Sequence, residues 1–192
     1  MTRLCLVRHG QTAWTLQGRW QGHTDIPLDE TGLQQAQQVA LALRDTYFDA
    51  LYVSDLTRAL VTARAIAGQH PGLETHIDAR LREIGLGQWE GRLLTEIPTL
   101  SPLEWAARER DLVDFSPPQG ESVRQVAVRV QATLRDICTA HPQAQVLVVS
   151  HGLALAVMLC CLENRPLAQA YSRVPDNAVP LFVECALGSD RC

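Results

Sequence analysis

Two stretches of this 192-residue chain end an apolar run on a histidine followed by glycine. Leu4-Cys5-Leu6-Val7 stops at Arg8-His9-Gly10, and Val146-Leu147-Val148-Val149 stops at Ser150-His151-Gly152. A buried strand that ends in charge either exits into solvent or delivers that charge to a site, and in open α/β sheets ligands bind at the carboxyl ends of the strands. An ending used twice favours the site. Arg58, in the first turn of a helix whose dipole favours anions there, is better explained if an anion binds nearby. Glu83 stands between apolar neighbours, where a carboxyl group is raised toward a proton donor. A salt bridge to Arg80 or Arg82 is the simpler alternative for Glu83.

Two histidines and a glutamate have the donor types of a metal site. The arginines oppose it, since a cation beside Arg8 and Arg58 meets a repulsion of about 1 to 4 kcal/mol from each, whereas guanidinium forks hold a phosphate well. No metal and no other cofactor is expected. Acyl transfer fits poorly, because the chain has no G-x-S-x-G elbow.

The elements that must position these residues follow from pattern. After the first strand, Gln11 to Asp29 is a long loop, a length more often functional than idle. Thr31 is placed to cap a helix whose apolar positions are Leu33, Ala36, Val39, Ala40 and Leu43. Leu51-Tyr52-Val53 is a second strand, and Ser54 or Asp55 then caps a helix that ends near Gly68 and Pro71. A third strand around Glu74 to Ile77 leads into a glycine-rich stretch, Leu81 to Gly91, read as a loop. From Arg92 to Gln119 prolines punctuate short helical pieces, an insertion lying over the sheet as a lid. Glu121 and Ser122 open a long core helix through Ile137. The apolar helix after His151 precedes a last strand at Val179 to Val183, and the tail from Gly188 is expected to fray. Strands alternating with helices predict an α/β fold, a three-layer α/β/α sandwich, in one domain spanning residues 1–192.

Bulk properties are those of an ordinary globular protein, 46% hydrophobic and 20% charged. A net charge of −4 offers no basic field for nucleic acid or anionic lipid. All 17 basic residues are arginine, so each fixed positive charge is a bidentate fork. The six cysteines lack C-x-x-C spacing. Cys5 and Cys138 fall in apolar segments, as reduced cysteines do, which points to the cytoplasm. No apolar run reaches the roughly 18 residues of a membrane span.

The ordered motifs resemble the histidine phosphatase superfamily, in the branch that includes cofactor-dependent phosphoglycerate mutase. They are Leu6-Val7-Arg8-His9-Gly10-Gln11-Thr12, Gln21-Gly22, Asp25-Ile26-Pro27-Leu28, Ser54-Asp55-Leu56-Thr57-Arg58-Ala59, Leu81-Arg82-Glu83-Ile84, Gly87-Gln88-Trp89-Glu90-Gly91, Gly120-Glu121-Ser122 and Ser150-His151-Gly152. The resemblance implies a phosphoglycerate mutase-like fold, with His9 as a nucleophile forming phosphohistidine. It implies that Arg8, Arg58 and His151 grip the phosphoryl oxygens and that Glu83 is the general acid. Thr15, Gln21, Gly22, Thr24 and Gly152 are the further substrate-binding candidates. Thr15 departs from the usual asparagine after Trp14 and has one donor where an amide has two, a contact that Gln21 or Thr24 can take over. The implied function is hydrolysis of a small phosphorylated metabolite, with phosphoglycerate mutase second and a non-catalytic phosphate-binding module third. Short members of the family include α-ribazole, sugar-phosphate and broad-specificity phosphatases. Trp14, Trp89 and Trp105 are candidates to line a pocket for a ring. A monomer or homodimer is expected.

Overall fold

The computed structural model describes residues 1–185; the tail from Gly188 lies outside them. Five strands, β1 (Thr2–Arg8), β2 (Ala50–Val53), β3 (Thr75–Ile77), β4 (Gln145–Ser150) and β5 (Pro180–Cys185), form one sheet in the order β3-β2-β4-β1-β5. All neighbours are parallel except β5, which returns antiparallel on β1. The apolar runs of β1 and β4 lie in the middle of this sheet, covered on both faces, as near-continuous hydrophobic strands require.

Side chains alternate across the sheet, and the alternation assigns the layers. Leu4, Leu6, Val146 and Val148 pack with α6 (Val123–Ala140) and α7 (Gly152–Leu162). Cys5, Val7, Leu147 and Val149 pack with α2 (Glu30–Leu43) and α3 (Thr57–Ala67). The α/β/α sandwich predicted from the strand and helix order is therefore present. α7 is buried from Gly152 through Cys160, consistent with a helix apolar on every side. A short α1 (Ala13–Gln17) lies in the first long loop, and α4 (Ile97–Leu100) and α5 (Pro102–Arg110) make up most of the Arg92–Gln119 segment's regular structure.

Several local expectations are corrected. Asp29, not Thr31, caps α2, its Oδ1 accepting from the Gly32 N–H at 2.8 Å, and Leu33 is half exposed while Gly32 is buried. Neither Ser54 nor Asp55 caps α3. The N-cap is Leu56, and the Thr57 N–H and hydroxyl donate instead to the Asp25 carboxylate at 2.8 and 2.7 Å. That partner comes from 32 residues away, beyond the reach of any local pattern. Ser122 does open α6, in a reciprocal capping box with Gln125. Cys138 is not a reduced apolar side chain, because its sulfur is bonded to that of Cys185 and so ties α6 to β5. Cys5 is free and buried, and burial pushes its thiol up to about 12. Among the described residues no helix is long and apolar enough to cross a membrane.

Candidate active site

The parallel pairing of β1 with β4 sets Arg8 opposite Ser150, so the next residues, His9 and His151, leave adjacent strands side by side. The His9 N–H donates to the Ser150 carbonyl at 3.0 Å, extending the ladder by one bond. The two rings lie 5.0 Å apart, edge to face. His9 Nδ1 lies 2.7 Å from the Gly10 carbonyl, which only accepts, so the proton sits on Nδ1 and Nε2 keeps its lone pair. His151 Nε2 pairs with Ser54 Oγ at 2.8 Å. Both rings are buried and held well below the ordinary histidine value, first by desolvation and then by the Arg58 charge. Both are therefore neutral at neutral pH. Gly10 allows this packing: a Cβ there would come within 2.4 Å of the Gly32 carbonyl oxygen.

Arg58 is wholly buried near the start of α3, and the loop before α2 wraps its guanidinium. The Gly22 and Thr24 carbonyls accept from it at 2.8 and 2.9 Å. Gly22 has a φ of +53°, which favours glycine, and a Cβ there would strike the Glu90 carboxylate. That carboxylate accepts from the His23 and Thr24 N–H groups and, at 2.5 Å, from the Thr24 hydroxyl. Thr24 thus supports the loop, and its side chain does not line the cavity described below. Arg8 donates to the Pro175 carbonyl at 2.9 Å and passes beside Gly152, where a Cβ would meet its guanidinium at 3.4 Å. Desolvation pulls both arginines down, opposed by the charge of Glu83.

Arg8 Nε, Arg58 Nε and His151 Nδ1 are buried without a hydrogen-bond partner among the described residues. Each such atom costs about 1–3 kcal/mol, and the two arginine Nε–H groups among them are donors left open to an acceptor beside the cavity that both arginines line.

Glu83 pairs with neither Arg80 nor Arg82. Arg80 is held by Asp78 and Asp136, and Arg82 by Asp55. The Glu83 carboxylate instead accepts from the Ile84 N–H at 3.0 Å and, at the start of α7, from the Leu153 and Ala154 N–H groups at 3.2 and 3.1 Å.

A cavity of about 720 Å³ opens on this cluster. Arg8, His9, Thr15, Gln21, Gly22, Arg58, Glu83 and Gly152 all line it. His151 is not on the wall itself; its ring sits edge to face with that of His9, which is. Gln21 donates to the Thr15 hydroxyl at 2.9 Å, so the two act as a pair. Of the three tryptophans considered for the wall, only Trp105 is there. Trp89 is buried beneath it, and the Trp14 ring packs on Gly91. Trp20 takes their place. Sequence reading also missed Leu153, Tyr171 and Val174. It missed Arg108 as well, whose guanidinium lies over the rings of Trp20, Trp105 and Tyr171 at 5.6, 4.9 and 4.7 Å. These residues come from distant segments and carry no common spacing. Among the described residues no three histidine, cysteine or carboxylate side chains gather as a metal-binding group.

Fold and cluster together define an α/β protein whose sheet edge gathers paired histidines and buried arginines at the mouth of a cavity. The chain belongs to the histidine phosphatase superfamily (branch 1), whose family model matches residues 4–187. Phosphoryl transfer through a phosphohistidine is general to that family. It is 41% identical over 171 residues to a Proteus mirabilis protein named probable phosphoglycerate mutase GpmB, covering 86% of this chain and 77% of that one. Phosphoserine phosphatase 1 of Hydrogenobacter thermophilus is 35% identical over 180 residues, covering 93% and 84%. The α-ribazole phosphatase of Shigella flexneri superposes with a TM-score of 0.87 at 28% identity, covering 95% of this chain and 90% of that one.

Proposed function

We propose that the chain is a phosphomonoesterase in which His9 is the nucleophile. One observation carries the reading: a buried, neutral imidazole whose Nδ1 proton is pinned to the Gly10 carbonyl, leaving Nε2 as a lone pair in the field of the Arg58 and Arg8 charges. Nε2 attacks phosphorus, the phosphorus–oxygen ester bond breaks, and Glu83 as general acid passes a proton to the departing alkoxide. Water then attacks the phosphohistidine while Glu83 takes a proton from it, and the nitrogen–phosphorus bond returns its electron pair to Nε2. Arg8, Arg58 and His151 hold the charge that grows on the phosphoryl oxygens. Gly22, Gly152 and the Thr15–Gln21 pair complete the phosphoryl pocket. The substrate is a small phosphorylated metabolite, and the segment from Arg92 to Gln119 acts as the lid over it, supported by the place of Leu93, Leu94, Thr95, Trp105 and Arg108 on the cavity wall.

Rapid acid-free quenching of protein mixed with a labelled phosphomonoester should trap an acid-labile phosphoenzyme in wild type and none in His9→Ala. Undiminished turnover by His9→Ala would sink the reading. The similarity to the GpmB protein favours one alternative, a phosphoglycerate mutase. It would show as isomerisation of a phosphoglycerate, stimulated by the bisphosphate, without net phosphate release.

A further inference from the structure

Four consecutive carbonyls lead up to the Glu83 side chain, and each is held by a side chain from elsewhere. Ser150 Oγ donates to the Leu81 carbonyl at 2.7 Å. Arg129, on α6, donates to those of Arg80, Arg82 and Glu83 at 2.7, 2.6 and 2.8 Å. Its Nε and second terminal nitrogen also donate to the Glu121 carboxylate, each at 3.0 Å. All five guanidinium N–H donors are thereby used, three on one loop and two on the carboxylate. Glu121 grips the far side of the same loop, its Oε2 accepting from the Gly85 N–H at 2.8 Å and its own N–H donating to the Gly85 carbonyl at 2.7 Å. His23 adds a second donor to the Glu83 carbonyl at 2.8 Å. Opposite this frame, the Glu83 carboxylate faces the start of α7 and the cavity.

We infer that Arg129, with Glu121 and His23, is a positioning device for proton transfer, fixing the backbone of Glu83 so that its carboxyl meets the leaving-group oxygen. The inference rests on the phosphomonoesterase reading above. A structural role alone would couple the frame to folding. A positioning role couples it to one chemical step, because a displacement of about 1 Å at a reacting group costs on the order of 10²-fold in rate. No other residue type replaces the frame: lysine has three donors on a point charge, too few to hold three carbonyls and a carboxylate.

The test uses two esters that differ in their need for the proton. Glycerol 2-phosphate leaves as a poor alkoxide that must be protonated, whereas p-nitrophenyl phosphate leaves as a stable phenolate. In a two-step reaction kcat/KM reports events only through departure of the alcohol, so the later use of Glu83 on water does not enter. Arg129→Gln should lower kcat/KM for glycerol 2-phosphate on the order of 10²-fold, and for p-nitrophenyl phosphate by about threefold or less. Arg129→Lys should fall between. His23→Ala removes one of two donors to the Glu83 carbonyl and should show the same selectivity at about tenfold. It decides the matter if Arg129→Gln does not fold. Parallel losses on both esters in the folded variants, or no loss on either, would overturn the inference while leaving a trappable phosphoenzyme intact. Wild-type protein that hydrolyses neither ester and traps no phosphoenzyme would overturn both readings.

Discussion

The two ends of the cavity are built differently. At the sheet edge Arg58 and Glu83 are fixed by backbone groups of other segments, the Gly22 and Thr24 carbonyls and the first N–H groups of α7, and His9 is tied to the neighbouring strand through its N–H on the Ser150 carbonyl while the adjacent Gly10 carbonyl orients its ring. At the opposite end the wall comes from α5, which buries none of its residues, and from half-exposed rings stacked on Arg108. Backbone bonds between distant segments form only when the whole fold forms, so the first end is tied to global stability. The second rests on side chains that can be exchanged at the surface. The same framework can therefore keep one reaction while its alcohol specificity changes.

Four measurements break or sharpen this contrast. Arg58→Lys keeps the charge but cannot bridge two carbonyls and a phosphoryl group. It should lower kcat/KM by about 10²- to 10³-fold for every phosphomonoester in a panel; a loss confined to one substrate would erase the distinction between the ends. The second concerns acid stability. His9 and His151 remain neutral when folded, whereas in the unfolded chain each titrates near 6.5. Below that pH the unfolded state binds more protons, so stability falls as pH falls, by up to about 1.4 kcal/mol per unit for each histidine. Chemical denaturation between pH 6.5 and 5 should show this slope, and a His9→Gln, His151→Gln double variant should flatten it. The depressed carboxylates Asp55, Asp78 and Glu90 lose their contribution only at lower pH.

At the other end Trp105→Ala removes one ring under Arg108. It should raise KM for some substrates and not others, by roughly 2- to 30-fold, with kcat unchanged. A uniform fall in kcat would mean that the wall takes part in the chemistry. The smallest effect belongs to Thr15→Asn, which adds a donor beside Gln21 and should tighten inhibition by inorganic phosphate several-fold, worth about 1 kcal/mol.

Legibility in the sequence follows the same division. His9 and His151 were readable because a buried strand, a histidine and a glycine are contiguous, and two such endings in one chain point to neighbouring parallel strands. Arg58 stood out because its charge opposes its own helix dipole. Glu83 was readable as a carboxyl in an apolar stretch, but its partners were not, because the α7 N–H groups are 70 residues away along the chain. Distance also hid Asp25 as the partner of Thr57, and it hid the Cys138–Cys185 bond. Of the tryptophans, Trp105 lines the cavity as expected while Trp14 and Trp89 do not, because ring type says nothing of whether a side chain faces a core, as Trp89 does, or a cavity, as Trp20 does.

The register that sets Arg8 opposite Ser150 acts as a ruler for the whole family of possible variants of this chain. Adding or deleting one residue within β1 or β4 would turn a histidine to the other face of the sheet, so these strands tolerate exchange of side chains but not change of length. The segment carrying α4 and α5, whose only buried residue in those two helices is Ile97, is under no such register constraint. Length variation among natural or engineered versions should therefore collect there, and new substrates should be sought by grafting that segment, with β1 and β4 left untouched.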